Sequence, residues 1–225
     1  MITRVFSAIV EGVEGQVIRI EASMRTSLPK KITVTGLPGE VVRESRERVR
    51  ACLGHHGFDV PSGQTLVHLS PAQTRKSGSH FDLAIGAALL GLEGKLPENA
   101  LDGLAFVGEL ALDGRLLPVE GAVALVDRLE RDSSVRVVVA PAANEPELAL
   151  LAPTKTRVAT CFADVLRWLT GDESALRPCL PSDGPPPAPR GALRVDGVRG
   201  QVVAKRALQI ALAGRHHLLL VGPPG

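Results

Sequence analysis

Hydrophobic and polar positions alternate most cleanly at Lys31-Ile32-Thr33-Val34-Thr35, where Ile32 and Val34 face one way and the polar residues the other. That pattern predicts a strand with one solvated face. Two earlier runs, Val5 to Val10 and Gln16 to Ala22, alternate in part and predict two further strands. Gly36-Leu37-Pro38-Gly39 breaks the pattern, and the period then changes. From about Glu40 to Leu53 the residues Val42, Val49 and Leu53 recur at helical spacing, with Gly54 as the expected stop. Leu66 to Leu69 predicts the next strand. Leu83 to Leu92 is apolar throughout, and Asp82 stands just before it, where an N-cap or first-turn carboxylate meets the positive end of a helix dipole. The polar stretch from Lys76 to His80 is expected to be a loop capping that helix.

Further along, Ala105 to Leu112 and Arg115 to Leu117 predict two strands joined by Asp113-Gly114, a dipeptide suited to a tight hairpin turn. Gly121 to Glu130 predicts a helix, Val135 to Val139 a strand, Glu145 to Leu151 a short helix, Arg157 to Ala159 a strand and Phe162 to Leu169 a helix. Strands and helices mixed without regular βαβ alternation indicate an α+β domain ending near Gly171. The stretch Pro181 to Gly191, PSDGPPPAPRG, is too rich in proline to pack a core and suits an extended linker. The expected organisation is a domain over 1–171, a linker over 172–193 and the start of a second module over 194–225. In that module Val198-Arg199-Gly200-Gln201 leads into a helix through Ala213, Gly214 ends it, and Leu218 to Val221 forms a buried strand.

Composition narrows the class. Apolar residues at 44% and charged residues at 22% of 225 fit a soluble globular chain. The longest apolar run is about half the length a membrane helix needs, and the N-terminus lacks the pattern of a signal peptide. A formal charge of +2 does not by itself predict a nucleic-acid partner, because such binding rests on clustered cations. Cys52, Cys161 and Cys179 are odd in number and far apart, which favours reduced thiols in a cytoplasmic protein. The histidines, His55-His56, His68, His80 and His216-His217, show no metal-ligand spacing, so no metal is assigned.

The candidate chemistry lies at the far end. Leu218 to Gly225 reads LLLVGPPG, an apolar strand running into the opening of a P-loop, G-x-x-x-x-G-K-[ST]. Gly222, Pro223, Pro224 and Gly225 supply the first four positions. The lysine that would neutralise phosphate charge and the hydroxyl that would hold Mg²⁺ are not among these residues, so ATP turnover is not expected of this chain. Gly200-Gln201, the helix bearing Lys205-Arg206-Ala207-Leu208, and His216-His217 precede the motif as they would at the start of an AAA+ core.

Four stretches in order, Gly36-Leu37-Pro38 with VVRESRERVRACL, HLSPAQTRKSGSHFDLAIGAALL, FVGELALDGRLLPVEGA and VRGQVVAKRALQIALAGRHHLLLVGPPG, resemble the magnesium-chelatase-like AAA+ proteins of the ComM/YifB family over nearly the whole chain. The resemblance implies a Lon-protease-like domain of the ribosomal-S5-domain-2-like fold ahead of an AAA+ motor. It further implies ATP and Mg²⁺ as cofactors of the intact protein, a homo-hexameric ring, and a DNA partner on which the competence-associated branch drives branch migration. It argues against a subunit that inserts magnesium into a porphyrin, since genuine chelatase motors lack the Lon-like part.

Similarity to Lon also brings a Ser-Lys peptidase into consideration. Laid on the Lon motifs, the nucleophile position falls on His80, or on Ser79 after a one-residue slip, and the lysine position falls on Val123. A valine accepts no proton, so the implied role is a scaffold or binding module rather than a peptidase. A base at His80 oriented by Asp82 would place sequence neighbours in a geometry they rarely reach. Arg43, Arg46 and Arg50 fall along one side of the predicted first helix, a stripe able to meet phosphates. The competing expectation is a solvated face with Glu44–Arg48 and Arg43–Glu47 pairs at i,i+4. Arg75 and Lys76 form a second, smaller basic group. With 3% aromatic residues and no tyrosine, a base-stacking platform is not expected.

Overall fold

The three strands read at the start of the chain form part of an eight-stranded sheet in a computed structural model that describes residues 2–11, 14–25, 31–58, 63–181 and 198–222. The chain divides into two compact units, Met1–Pro186 and Pro187–Gly225. The described residues of the first hold ten strands and five α-helices in the order β1 (Ile2–Glu11), β2 (Glu14–Arg25), β3 (Lys31–Thr35), α1 (Glu40–His55), β4 (Gln64–Ser70), α2 (Asp82–Leu92), β5 (Leu104–Phe106), β6 (Glu109–Leu110), β7 (Leu116–Leu117), α3 (Ala122–Glu130), β8 (Val137–Pro141), α4 (Glu145–Leu148), β9 (Thr156–Ala159), α5 (Phe162–Leu169) and β10 (Arg177–Pro178).

Strand order across the sheet is β10-β9-β8-β5-β1-β2-β4-β3. The pairs β1–β2, β2–β4 and β9–β10 are antiparallel, and β3–β4, β1–β5, β5–β8 and β8–β9 are parallel. The fold is therefore mixed α/β. Regular βαβ alternation is hidden in the sequence because the β6–β7 hairpin interrupts one crossover and α4 is a single turn. The sheet also continues past Gly171: Leu176 and Cys179 are buried, and β10 pairs with β9. Most of the Pro-rich stretch, residues 182–191, lies outside the described residues.

Period-two alternation sorts the strands' side chains onto two faces. Val5, Ile18, Ile20, Ile32, Val67 and Leu69 join α1, α2 and α5 in one core, while Ala8, Ala105, Val138, Ala140 and Val158 join α3 and α4 in a second core on the opposite face. α1 is amphipathic and buries Val42, Val49, Cys52 and Leu53. All eleven residues of α2 are buried, which accounts for its having no polar face.

Three expected boundaries differ. α1 runs through Gly54, and the left-handed stop is Gly57 at φ 75°; an interior glycine costs only about 1 kcal/mol, less than the packing of the last turn returns. The expected strand Ala105 to Leu112 divides after Phe106. The Val107 amide still bonds to Val139, but the Gly108 amide turns to the His80 carbonyl and leads the chain into the separate β6–β7 hairpin. Lys76 to His80 is not a wholly polar cap. Ser79–Phe81 is a 3₁₀ turn with His80 and Phe81 buried, and Lys76 is fully buried.

In the second unit α6 (Val202–Gly214) forms as read, but the residues from Leu218 to Gly222 form no strand. Leu219, Leu220 and Val221 are exposed. A strand is stable only against a hydrogen-bonded neighbour, and none is present among the described residues.

Burial also sets thiol reactivity, raising Cys52 to about 12 and Cys179 to about 11. Cys161 alone is partly exposed. Ellman's reagent is expected to titrate one thiol rapidly in the native chain and three after unfolding; rapid reaction of all three in the native state would contradict the packing.

Candidate functional site

In the first unit the region matched to the Lon motifs is a buried polar node. The 3₁₀ turn before α2 is held on three sides. The His80 ring nitrogen Nε2 lies 2.9 Å from the Ala8 carbonyl of β1, the Ser79 hydroxyl donates to the Glu109 carboxylate, and the Gly108 amide donates to the His80 carbonyl. Asp82, the first residue of α2, is fully buried and accepts from Arg48 of α1 twice, at 2.7 and 3.0 Å, and from the Leu110 amide at 3.3 Å. Phe81 rather than Asp82 takes the N-cap position. The Arg48 guanidinium also bonds to the Ser45 hydroxyl at 3.2 Å.

Burial pushes the Asp82 carboxyl up, and Arg48 pulls it back. The same bidentate contact holds Arg48 charged, raising it above its ordinary value. Burial lowers His80, whose ring is committed to a backbone carbonyl. Lys76, also lowered by burial, donates to the Pro71 carbonyl and so does not join Arg75 as a surface cation. The node thus ties α1, α2, β1 and the β6–β7 hairpin together. Ser79 is set against a carboxylate rather than an amine or imidazole, and Val123 lies half-buried in the first turn of α3. The arrangement is a brace.

Arg43, Arg46 and Arg50 are exposed along α1. Glu47 pairs with Arg46 at 3.2 Å rather than with Arg43, and Glu44 reaches Arg48 only at 3.8 Å because Arg48 is taken by Asp82. One of the three stripe cations is therefore paired, as the i,i+4 expectation also gives, but it is Arg46 rather than Arg43.

In the second unit Gly200 (φ 69°) and Gln201 (φ 51°) are both left-handed, and Gln201 is the N-cap of α6. Val198, Gln201, Ala204, Lys205, Leu220 and Gly222 are among the residues lining a groove of about 650 Å³. Pro223, Pro224 and Gly225 lie outside the described residues. The groove is mostly apolar with one cation, and a side chain added at Gly222 would meet nothing within 4 Å. Among its lining residues no carboxylate or hydroxyl is placed to hold Mg²⁺.

Comparison with known proteins defines the class as AAA+-type proteins of the Mg-chelatase kind. Residues 20–144 match the family described as subunit ChlI of Mg-chelatase, and residues 194–225 match magnesium chelatase, subunit ChlI. The chain belongs to the Mg-chelatase subunit ChlI family. It is 37% identical to the protein YifB of Escherichia coli over 216 residues, covering 95% of this chain and 41% of that one. It is 33% identical to the competence protein ComM of Haemophilus influenzae over 223 residues, covering 98% and 43%. A more distant match is the peroxisomal Lon protease homolog 2 of Caenorhabditis elegans, 31% identical over 147 residues, 63% of this chain and 18% of that one. The chain thus spans about two-fifths of the length of YifB and ComM. None of the described helices is long and apolar enough to cross a membrane.

Proposed function

We propose that the chain is the N-terminal portion of a cytoplasmic ATP-driven motor of the ComM/YifB type, working as a homo-hexameric ring that moves branched DNA in recombination or natural transformation. The observation that carries this reading is the match to ComM and YifB over nearly the whole chain, together with the family match over residues 194–225. In it, Gly200, Gln201 and the residues Gly222, Pro223, Pro224 and Gly225 cradle the nucleotide of the intact protein. ATP supplies the driving free energy, and Mg²⁺ is held by residues outside the groove described above. Residues 1–171, with β10 completing their sheet, are a Lon-like module of the ribosomal-S5-domain-2 type, joined through the Pro-rich stretch that follows β10. Arg43, Arg46 and Arg50, exposed along α1, are one candidate set of its phosphate contacts, on the α1 side of the domain. The test is DNA-stimulated ATP hydrolysis and branch migration by the full-length gene product, with and without residues 1–181. A full-length protein that hydrolyses ATP with no response to any DNA would overturn the reading.

A second reading, a peptidase-derived interaction module, is favoured by the Lon match alone. The braced Ser79 supports the non-catalytic form of it. Casein hydrolysis by this chain is expected to stay at buffer background and to be the same for Ser79→Ala. Cleavage that the substitution removes would restore the peptidase.

A further inference from the structure

The sheet face that carries α3 and α4 is covered over only part of its width. Those helices pack on Ala8, on Val17 of β2 and on β5, β8 and β9. The same face continues across the rest of β2, β4 and β3, where Leu66 is 42% exposed between buried Thr65 and Val67. An apolar side chain open to solvent in a central strand shows that this half of the face lies bare.

Register aligns the outward side chains in rows. Arg25 of β2, Gln64 of β4 and Lys31 of β3 stand side by side, and two rows on Glu21, His68 and Thr35 do the same. The Thr35 hydroxyl lies 2.9 Å from the His68 ring, as shared facing requires. Arg19 follows in the next row, six residues from Arg25, which is about 20 Å along the strand. Arg4 of β1 pairs with Glu21 at 3.0 Å and so neutralises the one carboxylate in these rows. Arg19, Arg25 and Lys31 are exposed and make no salt bridge among the described residues. Three uncommitted cations over about 20 Å, among hydroxyl and amide side chains, complement a regularly spaced polyanion. With only Phe6, half-buried, as an aromatic carbon ring on this side, the fit is to phosphates rather than to stacked bases.

We propose that this bare half of the sheet binds the phosphodiester backbone of nucleic acid, with Arg19, Arg25 and Lys31 as its contacts. This rests on the reading that the protein works on DNA, but places the contact on the opposite side of the domain from α1. Val42, Val49 and Leu53 of α1 pack in the other core, so its arginine stripe faces away from these rows.

The test is fluorescence anisotropy of labelled duplex and single-stranded DNA with the 225-residue chain. Wild type is compared with Arg19→Glu/Arg25→Glu/Lys31→Glu, with its milder glutamine counterpart, and with Arg43→Glu/Arg46→Glu/Arg50→Glu, after thermal melting shows which variants are folded. Three phosphate contacts predict that raising salt from 50 to 200 mM weakens duplex binding about 40-fold and single-strand binding about 20-fold. The glutamate sheet variant is expected to lose more than tenfold in affinity, the glutamine variant several-fold, and the α1 variant less than twofold. If the folded sheet variants bind as wild type does, or binding falls only in the α1 variant, the sheet assignment is wrong while the DNA reading stands. Absence of binding by wild type at 50 mM salt also overturns it, leaving the ATPase assay to decide the DNA reading independently. Competition by polyglutamate as effective as by DNA would make the face a general anion surface and defeat the nucleic-acid assignment.

Discussion

Arg48→Met is expected to destabilise the first unit by about 3–5 kcal/mol, because it strands a fully buried carboxylate. Asp82 would keep only the Leu110 amide, at 3.3 Å, and the neutral Ser45 hydroxyl, neither of which carries a compensating charge. For a domain of this size the loss corresponds to a fall in Tm of about 6–20 °C. Its pH dependence has a definite sign. Burial already pushes Asp82 up, and loss of the guanidinium removes the counterweight, so the folded-state value rises further above the unfolded one of about 4. The folded chain then binds its proton at higher pH than the unfolded chain. Stability is lost as pH rises through the folded-state value and is regained on acidification, fully so below the unfolded one. Arg48→Met/Asp82→Leu removes both charges and is expected to recover most of the loss and to abolish this pH response. Urea titrations followed by Trp168 fluorescence between pH 4 and 8 measure all three chains. A single mutant with the wild-type midpoint, or one whose deficit is the same at every pH, would show that the brace is not what holds α1 to α2.

That pair was half legible in the sequence. Asp82 is a lone charge at the head of an otherwise apolar eleven-residue helix, which signals a buried carboxylate needing a partner. The partner was obscured because Arg48 also satisfies an i,i+4 rule with Glu44, and local spacing cannot reveal a contact thirty-four residues away. Lys76 misled for the same reason: in a string of polar residues nothing marks the one whose ammonium turns inward to a carbonyl. Strand positions were readable because period-two alternation is dictated by the two cores. The breaks at Phe106 and Gly57 depend on where a single amide finds its acceptor, which the alternation does not encode. The bare sheet face was written in the sequence as Arg19, Arg25 and Lys31, yet only register places them in adjoining rows.

Gly36→Ala is expected to cost about 3 kcal/mol or more, and the chain's own backbone explains why a single methyl is not accommodated. Gly36 sits at φ 95°, beyond the region an alanine adopts at modest cost. A Cβ there would lie 2.0 Å from the Leu69 carbonyl oxygen and 2.9 Å from its carbon, both in the backbone of β4. No rotamer change relieves a clash with a strand. The segment cannot back away either, because it is bonded on its far side: the Lys76 amide donates to the Leu37 carbonyl at 3.1 Å, and the Gly39 amide donates to the Lys76 carbonyl at 2.7 Å. Accommodation therefore means separating the β3–α1 junction from β4 or breaking those bonds, each of which exceeds the 1–2 kcal/mol of left-handed strain alone, so the total is about 3 kcal/mol or more. Gly57→Ala is the matched control. It has positive φ, at 75°, but nothing within 4 Å of the added methyl, so it should cost only about 1 kcal/mol. Urea midpoints of the two variants against wild type separate steric exclusion from conformational strain. Equal losses would mean that the close approach of Gly36 to β4 contributes nothing, and the junction would then have to be held by the Lys76 bonds alone.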